Sequence, residues 1–402
     1  MADREPAASK SRLNEYFPPV AITVGVLVLS FFLHWKWCGT YMNLAEESWQ
    51  RMVEAHLSWY PFKIRYFTTY AMLLLNRVFT LPLRESFFLI QFPLLLVLGP
   101  VFYNYQRILG FTIRQAWVGV FLVLSSYPVL LAFSEPTHTW DDVWTYLLVT
   151  LALALVLRSR ITAATVIFTL ACFAREQSLI FYLLLVMTAF WSPSEMPRRN
   201  RLLWLLMPLV LYGLFRVIVW QDMDPARFSL IYHNFEFSLR TSDTLFSLFI
   251  SFGFIWVASL TALVRLARKN RTAAERFLFW GTLISLPANL VIALFFSLTR
   301  ETRILFPPFI CLVPLAVSEL WLLLDDLRHR CGAFRRVTQV VTFSVLIGAG
   351  IYLGRIVFPS FEYRACPNFA QLWAGIHFGL ILNLIALYLM RLITGSRATA
   401  DS

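Results

Sequence analysis

The amino-acid sequence predicts an all-α polytopic membrane protein with about 10–12 transmembrane helices. Of its 402 residues, 58% are hydrophobic and only 14% are charged, and the mean hydropathy is +0.65. An average soluble domain contains about 45–50% apolar residues. Long apolar runs also recur along the chain between short polar breaks, and roughly 20 apolar residues are enough to cross a bilayer as a helix.

The predicted spans follow these apolar runs in order. They lie near residues 18–35, 87–105, 115–133, 143–157, 161–174, 178–191, 202–220, 244–264, 277–298, 304–324, 337–357 and 371–390. The runs at 161–174 and 178–191 are short for two crossings, so one long kinked helix or a re-entrant hairpin around Arg175 remains open. Either alternative lowers the count from about twelve to eleven or ten.

The segment 36–86 connects the first two predicted spans and is the longest stretch outside the membrane. Residues 46–56 have a helix-like pattern. Residues 66–79 are apolar but contain Asn76 and Arg77, and they are too few to cross easily, which favours a helix lying in the membrane interface. An ordinary transmembrane helix or a packed loop helix is the alternative.

Basic residues predict the orientation, because Lys and Arg near span ends are retained in the cytoplasm. Roughly 21 basic and 8 acidic residues fall on the inner side, against about 13 and 14 outside. We therefore expect a cytoplasmic tail at 1–17, one membrane domain at 18–393 with 36–86 as its first extracytoplasmic loop, and a cytoplasmic tail at 394–402. The net charge of +12 reflects this topology. Because it is spread over short turns, it argues against a nucleic-acid partner.

The expected location is an integral membrane protein of the bacterial inner membrane, with the N-terminus cytoplasmic and the active face toward the periplasm. The sequence has no obvious retention signal, and its one glycosylation sequon lies in a predicted cytoplasmic loop. A eukaryotic reticulum membrane, with the active face toward the lumen, is the alternative.

Polar residues on the predicted outer side form the candidate site. The substrate-binding candidates lie in the segments YPFKIR, EPTHTWDD, REQ and RETR, and are Lys63, Arg65, His138, Asp141, Asp142, Arg175, Glu176, Arg300, Glu301 and Arg303. Glu46 and Glu47 are the catalytic candidates, with Glu47 favoured. A carboxylate near the membrane can act as a general base toward a hydroxyl, and an arginine can contact a phosphate with two parallel hydrogen bonds.

Each candidate also has a structural interpretation. Acidic residues are favourable at a helix N-terminus, and aspartates cap helices. An arginine can extend to lipid headgroups, and an adjacent arginine and glutamate can simply pair. The five cysteines have no metal-ligand spacing, and the chain has no Gly-rich phosphate loop. No cofactor is predicted, and a divalent metal is not indicated.

Several of these segments resemble the GT-C superfamily of integral membrane glycosyltransferases. The run from Glu46 to Arg65, with its acidic pair and YPFKIR, is similar to the first outer loop of these enzymes. The helix, basic turn, helix and Arg-Glu break that end in FAREQ also resemble the family, as does RETRILFPPFICLVPLA. The resemblance covers about the first 320 residues in order. Each motif is short, so the resemblance rests on the order in which the segments occur along the chain.

The resemblance implies transfer of a sugar from a polyprenyl-phosphate donor to a glycan, lipid or protein acceptor on the outer face, with inversion at the anomeric carbon. The family commonly uses an aspartate in the first loop, where this chain has Glu46 and Glu47. Donor and membrane lipids are therefore the expected partners. Three alternatives remain: a lipid-linked-sugar transporter or flippase, a polysaccharide polymerase or ligase, and a noncatalytic subunit of a glycan-assembly complex.

Overall fold

The computed structural model describes residues 17–29, 32, 36, 45–58, 65–134, 140–191, 193, 196–220, 235–236, 241–296, 302–330, 333–357 and 367–400. Within these residues every regular element is a helix and no strand occurs, so the predicted all-α class is confirmed. The helices are α1 (Phe17–Leu29), α2 (Glu46–Ser58), α3 (Phe67–Phe79), α4 (Leu83–Ile108), α5 (Ile113–Leu124), α6 (Tyr127–Ser134), α7 (Asp142–Leu157), α8 (Ile161–Ala174), α9 (Tyr182–Trp191), α10 (Arg198–Trp220), α11 (Thr241–Phe252), α12 (Phe254–Ala267), α13 (Ala273–Phe296), α14 (Thr302–Leu305), α15 (Phe309–Arg330), α16 (Ala333–Val357) and α17 (Pro367–Ala400). A 3₁₀ helix, Glu176–Phe181, precedes α9.

The chain is an integral membrane protein. Among the described residues, five helices are long and apolar enough to cross a membrane, namely Leu83–Ile108, Arg198–Ile218, Ala273–Phe295, Val340–Val357 and Ala370–Met390. The pair α11 and α12 makes a sixth if the two are one bent span. Five further apolar helices have 10–17 residues, fewer than a full crossing needs. Each of the twelve predicted spans contains a helix, but only five or six of the described helices are full-length, so the number of crossings stays a prediction.

The core lies between α4, α5, α7, α8 and α15, which contribute many of its buried apolar side chains. Helix α7 is buried on all sides, which fits its run of apolar residues without amphipathic periodicity. The hydroxyl of Tyr105 in α4 donates to the carbonyl oxygen of Ile310 in α15 at 3.0 Å, so it satisfies a polar group inside this core.

Three interruptions of the helices position the candidate site. Arg175 has extended backbone (φ −159°, ψ 131°) and ends α8, so α8 does not continue into α9 as an unbroken helix. The short α14 is separated from α15 by Pro307 and Pro308. The helices α11 and α12 meet at Gly253, which has a φ of +52°, and their axes differ by 76°.

The described residues between the first two predicted spans include the two helices α2 and α3, as expected. In α2 the buried side chains are Trp49, Val53 and His56, and they pack with Met72 of α3 and with Trp140. Helix α3 buries only one face and exposes apolar side chains on the other. This amphipathic helix supports the interfacial interpretation, which remains a prediction.

The helices α16 and α17 form a tightly packed pair at the edge of the fold. Small residues recur every fourth position in each helix, at Gly350 and Gly354 in α16 and at Gly375 and Gly379 in α17. A Cβ atom on Gly375 would lie 2.6 Å from the Cα atom of Ile351. The backbones therefore touch, which is how small residues allow membrane helices to associate.

Candidate active site

The centre of the candidate site is a buried pairing of one aspartate with two arginines. Asp142, the first residue of α7, contacts Nη1 of Arg175 through Oδ1 and accepts a hydrogen bond from Nη1 of Arg303 through Oδ2 at 3.3 Å. No more than 6% of the surface of any of the three residues is exposed. Both oxygens of Asp142 are thus engaged by cations, and this carboxylate holds the two guanidinium groups side by side.

A second ion pair lies between Arg65 and Glu176. Nη2 of Arg65 donates to Oε1 of Glu176 at 2.7 Å. Arg65 is 8% exposed, while the side chain of Glu176 is 35% exposed. Because Glu176 follows Arg175 directly, the break after α8 brings the two pairs together.

Asp141 is the third carboxylate of the site and is held differently. Its Oδ1 accepts hydrogen bonds from the backbone nitrogen of Thr68 at 2.8 Å and from the Thr68 hydroxyl at 2.7 Å. Its Oδ2 is buried and has no hydrogen-bond partner among the described residues. Asp141 itself is 3% exposed. Oδ1 is therefore fixed by α3, whereas the described residues do not fix Oδ2.

The electrostatics of Asp141 differ from those of a solvated aspartate. Burial raises the pKa of Asp141, because a charged carboxylate is disfavoured away from water. The hydrogen bonds from Thr68 and the charges of Arg65 and Arg175 act in the opposite direction without overcoming burial. The carboxyl of Asp141 therefore keeps its proton to a higher pH than usual.

We refer to Arg65, Asp141, Asp142, Arg175, Glu176 and Arg303 as the arginine–carboxylate cluster. Three arginines face three carboxylates in it, so its formal charge is zero when all are ionised and +1 when Asp141 is protonated. Since buried arginines with orienting carboxylates present planar donors in fixed directions, such a cluster can bind an anion such as a phosphate.

Aromatic and amide side chains contact Trp140, the residue directly before Asp141. The ring of His56 stacks on Trp140, with centroids 4.1 Å apart and planes 12° apart. The carbonyl oxygen of Trp140 accepts from Nε2 of Gln91 at 2.7 Å and lies 2.7 Å from the Thr68 hydroxyl, whose single hydrogen is shared between this carbonyl and Oδ1 of Asp141. These contacts fix the backbone that carries Asp141.

The two glutamates predicted as catalytic residues lie in α2. Oε1 of Glu46 accepts from the backbone nitrogen of Leu83 at 2.7 Å, and it thereby caps the N-terminus of α4. Glu47 is exposed, and its carbonyl oxygen accepts from Nε of Arg51 at 3.4 Å. In the part of the chain that the structure describes, neither residue forms a hydrogen bond or ion pair with the arginine–carboxylate cluster.

Six of the ten predicted substrate-binding residues therefore come together: Arg65, Asp141, Asp142, Arg175, Glu176 and Arg303. The other four, Lys63, His138, Arg300 and Glu301, lie outside the described residues. Among the described residues, no group of three or more His, Cys, Asp and Glu side chains is arranged to hold a metal ion.

Sequence reasoning missed several residues of this site. Thr68 fixes Asp141, and Gln177 forms hydrogen bonds with Asn289 of α13 and with the carbonyl oxygen of Ile304. A polar residue inside an apolar run, as Asn289 is, was the available signal. Thr68 gave none, since threonine is ordinary in membrane helices.

Two charged residues inside predicted spans had no assigned role. Glu319 of α15 is 2% exposed, accepts from Nε of Arg265 at 3.1 Å and accepts from the hydroxyl of Tyr388 at 2.8 Å. These contacts join α12, α15 and α17. The guanidinium of Arg216 lies 5.9 Å from the centroid of the Tyr212 ring in the same helix.

No protein-family model, curated protein or solved structure matches this chain.

Proposed function

We propose that this protein is a membrane glycosyltransferase that transfers a sugar from a polyprenyl-phosphate donor to a glycan, lipid or protein acceptor. The observation that supports this best is the arginine–carboxylate cluster, in which three buried arginines and a carboxylate with one unengaged oxygen lie together. Buried ionisable groups in a membrane protein are costly and usually serve function. The apolar helices around them suit a lipid carrier that stays in the bilayer.

In this proposal the donor phosphate lies against Arg175, Arg303 and Arg65. As the bond between the anomeric carbon and the phosphate oxygen breaks, the polyprenyl phosphate leaves with the bonding electron pair. The guanidinium groups stabilise the negative charge that develops on it. Asp142 and Glu176 hold these groups in place, so little reorganisation is needed during the reaction.

Asp141 is the proposed general base, in preference to Glu46 or Glu47. Its Oδ2 takes the proton of the acceptor hydroxyl while the hydroxyl oxygen forms the new bond to the anomeric carbon, and inversion follows. The raised pKa of Asp141 suits this role, because a base is most effective when its pKa lies near the working pH. Glu46 instead caps α4 and Glu47 is exposed.

The proposed orientation follows the basic residues of the loops. The N-terminus would be cytoplasmic and the cluster would face the periplasm of a bacterial inner membrane, where lipid-linked donors are presented after crossing the bilayer. Labelling of intact cells with a membrane-impermeant arginine reagent tests this orientation, because arginines of the cytoplasmic loops should not react.

The decisive experiment uses purified protein reconstituted in liposomes with radiolabelled polyprenyl-monophosphate sugars and a membrane extract as acceptor. Wild-type protein should transfer label, and Asp141→Asn should lose transfer by about 10²–10⁴-fold. Glu47→Gln is the control, because it removes an exposed carboxylate in α2 that has no contact with the cluster among the described residues. Transfer that survives Asp141→Asn would reject Asp141 as the base. Absence of transfer from every donor would reject the enzyme.

Two observations favour a lipid-linked-sugar transporter as the second candidate. The bend of 76° at Gly253 resembles the broken helices of transporters, and Glu319 is an ionisable group buried within a helix. In the same liposomes, movement of the labelled donor to the opposite leaflet without transfer would select this alternative. A protein that neither transfers nor moves the donor would fit a noncatalytic subunit.

A further inference from the structure

A pair of buried amides adjoins the arginine–carboxylate cluster. Nε2 of Gln177 donates to Oδ1 of Asn289 and to the carbonyl oxygen of Ile304, both at 2.5 Å. Gln177 follows Glu176 in the chain, and Ile304 follows Arg303. The amide pair is therefore tied to the cluster through the segments that supply two of its three arginines, Arg175 and Arg303.

The orientation of both amides follows from the Ile304 carbonyl. A carbonyl oxygen can only accept, so the Gln177 group that faces it must be the NH₂. That NH₂ also faces Asn289, which must then present its oxygen. Reversing either amide would place two acceptors or two donors against each other.

Two polar atoms remain after these bonds are made. They are Oε1 of Gln177, an acceptor, and Nδ2 of Asn289, a donor, and neither has a hydrogen-bond partner among the described residues. Gln177 is 3% exposed and Asn289 is 0% exposed. The hydroxyl of Thr302, two residues before Ile304, is likewise buried without a partner in the described part of the chain. Buried polar groups are nearly always paired, so these atoms point to a bound polar group.

We propose that Gln177 and Asn289 bind a hydroxyl group of the sugar ring and select for neutral sugars. This inference rests on the proposed function. A hydroxyl can donate to Oε1 of Gln177 and accept from Nδ2 of Asn289 at once. A sugar carboxylate has no hydrogen to donate to Oε1, and an ammonium has no lone pair to accept from Nδ2. The pair thus matches an uncharged hydroxyl and rejects both charged substituents.

The variant Asn289→Asp replaces the donor atom with an acceptor and can also introduce a charge. It keeps an oxygen where Oδ1 accepts from Gln177 and replaces the NH₂ with a second acceptor. Asn289→Leu removes both groups without introducing charge. Asn383→Leu is the matched control, because Nδ2 of Asn383 already donates to the carbonyl oxygen of Gly379 at 2.8 Å in a different helix.

Binding and transfer are measured in parallel with polyprenyl-monophosphate mannose, glucose and galactose, and with analogues that each lack one ring hydroxyl. Wild-type protein should bind at least one sugar-bearing lipid more tightly than polyprenyl phosphate alone. Removing the recognised hydroxyl should lower kcat/KM by at least about tenfold. In Asn289→Leu the same removal should change kcat/KM by less than about twofold, while the affinity for polyprenyl phosphate stays unchanged.

The outcomes separate this inference from the proposed function. If the wild type transfers sugar and both Asn289 variants, shown to be folded by thermal unfolding, retain the preference for every hydroxyl, the amide pair is structural and the inference is wrong. If no donor is transferred, the enzyme is rejected, but the binding comparison still decides whether the amides recognise the sugar. Equal binding of sugar-bearing and sugar-free lipids by the wild type also overturns the inference.

Discussion

Arg303 and Asp142 lie 161 positions apart in the chain, and Nη1 of Arg303 donates to Oδ2 of Asp142 at 3.3 Å in a region closed to solvent. The same carboxylate also contacts Arg175. One buried aspartate therefore organises the ends of three elements, α7, α8 and α14.

Loss of the Asp142 charge should destabilise the protein strongly. In Asp142→Asn two buried guanidinium groups lose their counter-charge, and breaking one partner of a buried pair typically costs about 3–5 kcal/mol. The control is Glu85→Gln, because Glu85 pairs with Arg84 at 2.6 Å but both side chains are about two-fifths exposed, at 41% and 42%. That change should cost no more than about 1 kcal/mol. The free energy of unfolding in detergent, measured by denaturant titration, compares the two. Equal costs would show that the Asp142 pairs contribute little.

The dependence of transfer on pH should follow Asp141. Because burial raises its pKa, the carboxylate form that the base requires appears only at a higher pH than for a solvated aspartate. The profile of kcat/KM should therefore rise with pH along a limb above the ordinary aspartate range. The stability of the folded state should change with pH in the opposite direction. The folded state holds this proton more tightly than the unfolded chain does, so stability is lost as pH rises through the raised pKa of Asp141.

Two measurements check this prediction. A pH–rate profile of the wild type locates the limb, and thermal unfolding of the wild type and of Asp141→Asn across the same pH range isolates the contribution of Asp141 to stability. The neutral asparagine should abolish that part of the pH dependence. A limb at the ordinary aspartate range would show that Asp141 is hydrated in the working enzyme.

The all-α membrane class was predictable because it depends on composition and on the recurrence of apolar runs, which are local properties. The sequence predicted only that four residues lie on the same membrane face: Arg65, Asp142, Arg175 and Arg303. The distribution of basic residues predicts which loops share a side of the membrane, but it does not predict which side chains form pairs. The pairing partners are set by where α8 breaks and where α14 turns. Those breaks depend on tertiary packing that one sequence does not display.

The first loop likewise shows that one sequence does not reveal which residues become partners in the fold. An acidic residue at a helix start is equally consistent with capping and with catalysis, and Glu46 caps a different helix, α4, from 37 positions away. The sequence offers no sign of that partner. The predicted spans at 115–133 and 244–264 are also broken, at a turn near Ser125 and Ser126 and at Gly253, which has a positive φ.

Replacement of Glu46 should affect stability and leave chemistry intact. In Glu46→Gln the amide oxygen can still accept from the Leu83 nitrogen, but the favourable charge at the N-terminus of α4 is lost, which costs about 0.3–1 kcal/mol. Glu46→Ala also removes the hydrogen bond and should cost about 1 kcal/mol, within the 0.5–2 kcal/mol of other caps. Glu47→Gln removes only the exposed charge in the first turn of α2 and should cost no more than Glu46→Gln. Thermal unfolding midpoints check the order, and transfer rates per folded molecule should match the wild type. A rate lost in either variant without loss of stability would return catalysis to the first loop.

The close approach of α16 and α17 predicts a position-specific effect of glycine replacement. In Gly354→Ala the new methyl group would lie 2.7 Å from the Cα atom of Gly375, so the two helices must separate. Such overpacking typically costs about 1–3 kcal/mol. Gly348→Ala, in the same helix, meets nothing within 4 Å and should be neutral or stabilising by up to about 1 kcal/mol, because alanine favours a helix more than glycine does. Unfolding in detergent, followed by tryptophan fluorescence, distinguishes the two variants. If Gly354→Ala were as stable as Gly348→Ala, the helices would not touch at this point, and the glycine pattern would not be what joins them.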